Sequence, residues 1–490
     1  MGKAVLFHPG LGGDERAQRQ PRRGPQRPRR LAARLQVQRV LQLPVRAARR
    51  QEQLRAALPW PLTGAQERVI AEIMRDLQAP TRMLRLLQGD VGSGKTAVAL
   101  LVAAAVIEQG CQVALMVPTE VLARQHARTL TAMGAAIGLR VGVLTGRDKG
   151  KARAAILTDL ADGNIDLLVG THALFQDDVA FHDLGLSIVD EQHRFGVHQR
   201  MMLSAKAGRG SDVLVMTATP IPRTLAMTAY GDMDVSRIDE RPPGRTPVET
   251  RVLPVDRLDQ VVERLSVLLD RGERAYWICP LVEDEENSEA AAAEARFREL
   301  QNRFGARVGL VHGRMKAEEK DAALQSFADG DTTLLVATTV VEVGVDVPEA
   351  TVIVIEEAER FGLAQLHQLR GRVGRGKLPG SCLLLYRPPL GETARARLTV
   401  LRETDDGFVI AERDHALRGS GDLLGTRQSG LPAMRLADAD RDQDLLATAH
   451  DDARLIVEKD PELEGIRGTA LRVLLYLFER DAAIRYLRSG

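Results

Sequence analysis

Residues 86–96 read LLQGDVGSGKT, and the apolar run AVALLVAAAVI follows at once. A short apolar segment, a glycine-rich turn, Lys-Thr and a helix-compatible run together match G-x-x-x-x-G-K-[ST] in full over 89–96. Gly89, Asp90, Val91, Gly92, Ser93 and Gly94 then form a tight loop whose backbone N–H groups face phosphate oxygens. Lys95 reaches the terminal phosphates, and the Thr96 hydroxyl is a Mg²⁺ ligand.

Outward from this loop, strand-like runs alternate with helical ones. MLRLLQ, CQVALMVP, LRVGVLTG, IDLLVGT, LSIVDEQ and DVLVMTAT form one series; RAYWICPLV, ARVGLVHG, TTLLVATT, ATVIVIEEA and GSCLLLY form a second. The rhythm predicts two tandem α/β lobes, each a parallel sheet with helices on both faces. The lobes are expected at 61–235 and 251–390, joined by a Pro/Gly-rich linker at 236–250. Strand rhythm stops near Gly391, so 391–490 is expected to be a small, mainly helical region. Residues 1–60 stand apart: thirteen arginines and Lys3 against Asp14, Glu15 and Glu52 leave +11. The stretch RAQRQPRRGPQRPRR carries no apolar period and is expected to be disordered.

With 490 residues and 44% apolar side chains, the chain is long enough for large cores. Its net charge of +1 argues neither for nor against nucleic acid, because a basic channel can sit within a neutral total. Three cysteines without metal-ligand spacing fit a reducing compartment. AVALLVAAAVIEQG is too short to span a bilayer. A cytoplasmic protein without membrane contact is the simplest expectation.

A nucleotide site needs an acidic partner. LSIVDEQH supplies Asp190, expected to hold Mg²⁺, and Glu191, expected to orient and polarise the attacking water. Gln192 and His193 stand where they can sense the γ-phosphate and signal to MTATPIPRT, with its Thr217 and Thr219. QLHQLRGRVGRG offers Gln368, Arg370, Arg372 and Arg375 in the second lobe. Arginines from another lobe complete a site only when the lobes close, which couples hydrolysis to movement.

In this order the motifs resemble a superfamily 2 helicase or translocase over about 60–390. PLTGAQ resembles the adenine-side glutamine motif, which implies Gln66 near the base. PTEVLARQH, VGTHALFQ, DEQH, TATPIPRT, GLVHGRMK, LLVATTVVEVGVDVPEA and QLRGRVGR resemble motifs Ia to VI. Arg372 and Arg375 match the family's arginine fingers. DEQHRFGVHQR, TATPIPRTLAMTAYGDMDVSRIDERPPGR and RFGLAQLHQLRGRVGRG are similar to the RecG group of branched-DNA translocases. RDHALRGSGDLLGTRQSG, at 413–430, resembles the segment after motif VI that this group shares with transcription–repair coupling factors. The resemblance implies ATP and Mg²⁺ as cofactors, forks and Holliday-type junctions as substrates, and a monomeric motor. It also implies a single-stranded DNA-binding protein as partner, and a tail that relays lobe motion through Arg418, Arg427 and Gln428. Thr119, Arg124, Thr171, His172, Thr338 and Thr339 fall where the motifs touch the DNA backbone; each also reads as a local cap. The group places a strand-splitting barrel before the motor, and 1–60 has neither the aromatic nor the β-branched alternation for one, so a fragment or altered reading frame is expected there. A coupling-type duplex translocase and a DNA-binding remnant stay open as other readings.

Overall fold

The computed structural model describes residues 49–190, 211–220, 233–243, 247–280, 286–338, 347–376, 378–419, 442–460 and 463–477. Two parallel sheets dominate it. The first contains β1 (Leu84–Gly89), β2 (Gln112–Met116), β3 (Val141–Leu144), β4 (Leu167–Gly170), β5 (Leu184–Val189), β6 (Asp212–Thr217) and β7 (Asp234–Ile238), in the order β3-β4-β2-β5-β6-β1-β7. All its pairings are parallel. Strands β2, β4, β5 and β6 are buried along their whole length, as expected for near-continuous apolar runs covered on both faces.

Helices α1 (Arg49–Ala57), α2 (Gly64–Leu77), α3 (Lys95–Glu108), α4 (Glu120–Gly134) and α5 (Gly150–Ala161) belong to this lobe. Ala97 through Ile107 on α3 are all buried, so this helix is apolar all round and serves as the lobe's interior. Thr63 caps α2: its hydroxyl accepts from the Gln66 amide, and the Gln66 side chain accepts from the Thr63 amide. Within the basic segment 1–60, RAQRQPRRGPQRPRR lies outside the described residues, and α1 forms near the segment's end. Its Leu54 is fully buried, and Gln51 Nε2 donates to the Leu101 carbonyl on α3 at 3.2 Å. Two inward residues three apart are too little periodicity to read from sequence, but enough to dock one short helix.

The second sheet has the order β10-β11-β9-β12-β13-β8, again with every pairing parallel. Its strands are β8 (Glu249–Pro254), β9 (Arg274–Ile278), β10 (Val308–Val311), β11 (Leu334–Ala337), β12 (Ala350–Ile355) and β13 (Ser381–Tyr386). Helices α6 (Leu258–Asp270), α7 (Glu286–Phe304), α8 (Ala317–Asp329) and α9 (Leu363–Arg370) connect them. The stretch expected to be a linker, 236–250, begins inside β7 and ends inside β8. Both are edge strands, paired on one side only and partly exposed, so their polar sequences DVSRI and ETRVLP lack the apolar run of a central strand.

Four helices follow: α10 (Glu392–Glu403), α11 (Gly407–Gly419), α12 (Gln443–Lys459) and α13 (Ile466–Leu477). Leu398 and Leu401 of α10 and Ile410 of α11 share a core with Leu363, Leu366 and Leu369 of α9. The helical region therefore starts as an extension of the second lobe. Among the described residues no helix is long and apolar enough to cross a membrane.

Candidate nucleotide site and lobe contact

The loop after β1 turns at the carboxyl end of the first sheet, the edge where open α/β sheets bind ligands. Gly92 and Gly94 take φ of 74° and 87°, the left-handed region that a side chain disfavours. At Gly94 a Cβ would also lie 2.3 Å from Gln66 Nε2. That amide donates to the Ser93 carbonyl at 2.8 Å, while Gln66 Oε1 accepts from the Thr63 amide at 2.9 Å. Both polar ends of Gln66 are thus engaged inside the protein, where it braces the loop against the cap of α2.

Lys95 Nζ donates to the carbonyls of Gly89 at 2.6 Å and Asp90 at 2.9 Å. Its ammonium sits on the loop itself, stored at the place where phosphate charge would draw it off. Ser93 Oγ is buried with no hydrogen-bond partner among the described residues, an orphaned polar atom inside the cradle. Thr96 stands in the first turn of α3. Asp190 directly follows β5 at the same sheet edge. Its amide donates to the Met116 carbonyl at 2.9 Å, and its carboxylate lies 3.4 Å from His126 Nε2 on α4. His126 closes the motif PTEVLARQH, but its partnership with Asp190 could not be read from the motif. A hydroxyl and one carboxylate suit a Mg²⁺ that keeps several waters and takes phosphate oxygens. The residues present therefore fit a Mg²⁺–nucleoside triphosphate.

Thr217 ends β6 in register with Gln88 of β1. Its hydroxyl lies 2.9 Å from that of Thr219, and the Thr219 amide donates back to it at 3.2 Å. These two threonines stiffen their own turn, one strand from the phosphate loop.

The second lobe meets this edge directly. Gly371, just after α9, faces Val91: a Cβ there would lie 2.8 Å from the Val91 Cβ. His367 Nε2 lies 2.7 Å from Asp90 Oδ1. Burial alone would push the Asp90 carboxyl up, but the hydrogen bond from His367, the Val91 amide and Lys95 together hold it below its ordinary value. A cleft of about 280 Å³ opens beside this contact, walled by Asp90, Val91, Glu240, Arg370 and Asp406. Arg375 Nε donates to the Gly371 carbonyl at 2.9 Å, and the Arg372 amide to the Leu369 carbonyl at 3.0 Å. Both arginines and Gln368 are half-buried along this segment.

Arg370 behaves differently from the other two arginines. It is buried, and it donates to the carbonyls of Leu401 at 2.7 Å and Thr404 at 2.9 Å. Burial pulls its pKa down. It ties α9 to the end of α10 rather than offering charge to a phosphate.

The residues expected at DNA all follow carboxyl ends of strands. Thr119 follows β2 and caps α4, accepting from the Leu122 amide at 3.4 Å. Arg124 is half-buried on the same helix. Thr171 follows β4 and is buried, with His172 exposed beside it. Thr338 follows β11 and is buried, its amide donating to Val311. Glu191, Gln192, His193, Thr339, Arg427 and Gln428 lie outside the described residues, as does the side chain of Arg418 on α11.

Comparison with known proteins matches this division. Residues 63–228 match the DEAD/DEAH box helicase family, 257–377 the helicase conserved C-terminal domain, and 404–471 the C-terminal domain 3 of ATP-dependent DNA helicase RecG. The chain is 54% identical over 414 residues to ATP-dependent DNA helicase RecG of Escherichia coli K12, covering 84% of this chain and 60% of that protein. It is 49% identical over 423 residues to the RecG of Bacillus subtilis 168, covering 85% of this chain and 62% of that one. It spans about 60% of the length of these curated relatives. A solved structure of RecG bound to a three-way DNA junction superposes with a TM-score of 0.69 at 44% identity, covering 81% of this chain and 51% of the other. A DNA- and nucleotide-bound structure of the helicase MrfA, 14% identical with a TM-score of 0.57, shares the fold. By sequence, by the order of its two lobes and by its third, helical domain, the chain is similar to the RecG family of ATP-dependent DNA helicases.

Proposed function

We propose that this chain is an ATP-driven motor that moves along duplex DNA and acts on branched substrates such as forks and Holliday junctions. The observation that carries the proposal is the seating of α9 on the phosphate loop, with His367 on Asp90 and Gly371 on Val91. It puts the arginines after α9 at the edge that bears Lys95. Asp90, Gly92, Ser93 and Gly94 shape the cradle, Lys95 and Thr96 would hold phosphate charge and Mg²⁺, and Asp190 would hold the metal through its water shell. When bound, the Mg²⁺–ATP supplies the phosphoanhydride whose cleavage drives the motor. Glu191 orients and polarises the attacking water, and Arg372 and Arg375 stabilise negative charge that grows on the transferring group. Water is excluded when the lobes close.

The substrate follows from the family: the junction-bound relative is RecG. Thr119, Arg124, Thr171, His172, Thr338 and Thr339 are assigned to the DNA backbone, a recognition by phosphate and shape rather than by base sequence. The motor is proposed to work as a single chain in the cytoplasm, with a single-stranded DNA-binding protein as partner.

Phosphate release, measured with and without a synthetic junction, tests the reading. The wild-type chain should need Mg²⁺ and respond to DNA. Lys95→Ala should bind nucleotide weakly, and Glu191→Gln should bind it but not turn over. Wild-type-like turnover in Glu191→Gln removes the assignment.

A further inference from the structure

His367 stands between the phosphate loop and the third domain. Its Nδ1 lies 2.8 Å from Arg370 Nη2, and its Nε2 lies 2.7 Å from Asp90 Oδ1. A guanidinium only donates, so Nδ1 must accept and Nε2 must carry the proton that goes to Asp90. The chain of bonds therefore has one direction: from Arg370 through the ring to the carboxylate. The other arm of Arg370 holds the Leu401 and Thr404 carbonyls at the end of α10. Two residues later, Asp406 caps α11, its Oδ1 accepting from the amides of Phe408 at 2.8 Å and Val409 at 3.2 Å. Gly407 lies between these two ends. A Cβ on it would stand 2.8 Å from His367 Nε2, 2.9 Å from Pro220 Cγ and 3.2 Å from Asp90 Cγ. Its backbone φ is not in the left-handed region, so what excludes a side chain there is contact alone. A side chain on this one glycine would thus meet the phosphate loop, the turn after β6 and α9.

We propose that His367 and Gly407 form the junction through which the state of the phosphate loop sets the position of α11, with His367 as a positioning residue. This rests on the motor reading and deepens it. Lys95 now bonds the Asp90 carbonyl, and the carboxylate of that same residue is the acceptor for His367. A shift of the Lys95 ammonium onto phosphate oxygens releases the Asp90 carbonyl, and the loop can then move the acceptor to which His367 is tied. His367 moves Arg370, Arg370 moves Thr404, and Thr404 adjoins the capped start of α11. Gly407 allows α11 to sit close enough to follow. A buried polar chain with a fixed direction has discrete arrangements, unlike apolar packing that merely slides.

The test uses the full 490-residue chain with Gly407→Ala, His367→Phe and His367→Gln. Amide hydrogen exchange across 404–417 is measured with and without Mg²⁺ and a non-hydrolysable ATP analogue. In the wild type, nucleotide should change exchange there by about fivefold or more, the lower range of allosteric couplings. Gly407→Ala and His367→Phe should bind the analogue yet lose that response. His367→Gln, whose amide N–H replaces the Nε2 donor, should recover much of it. In triplex displacement from duplex DNA, the first two should move fewer base pairs per ATP by roughly tenfold. Two variants on different elements guard against a folding defect in one. A wild-type chain that binds the analogue with unchanged exchange at 404–417 overturns the junction, as does wild-type response in both Gly407→Ala and His367→Phe. A wild-type chain that does not bind the analogue overturns the motor reading first, and the junction with it.

Discussion

The two lobes place their strands alike and load them differently. Strand β8 sits beside β13 at the end of the second sheet, as β1 sits beside β6 in the first. The turns that leave these two strands are not alike. Strand β1 runs into Gly89 and a left-handed glycine turn, then into α3. Strand β8 runs into Pro254 and a short 3₁₀ turn, Val255–Arg257, then into α6. The first ending is an anion cradle; the second offers no run of glycines for one. The helices differ in the same sense. Eleven successive residues of α3 are buried, whereas α6 buries only Val261, Val262, Leu265 and Leu269. The second lobe instead brings charge, on the segment after α9. On the proposed motor reading, a repeated scaffold carries two halves of one chemistry, and the division lies in the loops.

The largest expected effect probes that division. Arg372→Ala should lower kcat by about 10³- to 10⁵-fold, in line with arginines supplied from outside a phosphate site. Nucleotide affinity should change far less, because the contact strengthens mainly in the transition state. Single-turnover hydrolysis and equilibrium binding separate the two, and a near-normal kcat would leave the segment after α9 a surface loop. The lobes differ next in that α1 covers α3. Leu54→Ala should cost about 2–5 kcal/mol in denaturant unfolding of the chain, as for a fully buried leucine. A loss under about 1 kcal/mol, well below that range, would mean that α1 contributes little to the first lobe.

A smaller effect is electrostatic. Asp212 opens β6, where β13 opens with Ser381. Burial raises the Asp212 carboxyl to about 6, although the Met83 amide donates to it at 2.7 Å. Its folded-state value lies above its ordinary one, so the ionised form is the strained one. The penalty is present in full above that pH and is relieved as pH falls through about 6 toward its ordinary range. It amounts to on the order of 3 kcal/mol. Thermal midpoints of wild type minus Asp212→Asn should therefore rise on going from about pH 7 to about pH 4.5; a flat difference removes the assignment. The smallest contrast is between the two helices. Val102→Thr on α3 buries a hydroxyl and should cost about 1–3 kcal/mol. Val267→Thr on half-exposed α6 should stay within about 0.5 kcal/mol. Equal losses would mean that α3 is no more deeply buried than α6.

The sequence by itself determined the two-lobe plan and the edge at which chemistry occurs. Central parallel strands are apolar on both faces, so Leu184–Val189 and Asp212–Thr217 announce themselves as runs. The phosphate loop is equally legible, because its glycines are required by backbone conformation wherever it occurs. Edge strands and α1 were not legible. Burial on one side or at two positions leaves too weak a pattern, and so the expected linker ran into the end of β7 and the start of β8. Tertiary structure alone decided which polar residue does what. Arg370 and Arg372 are two positions apart in one motif, yet helix geometry turns the first into the α10 carbonyls and buries it, while the second stays half-buried just beyond the helix. Gln66 stands in its motif, but its amide is spent on Thr63 and Ser93. His367 and His126 stand inside quoted motifs, and Gly407 in none, but the partner of each could not be read, because it lies far away in the chain: Asp90 is 277 residues from His367. Local conformation and apolar period are written in short stretches of sequence. A hydrogen bond between distant residues exists only once the fold has brought its donor and acceptor together.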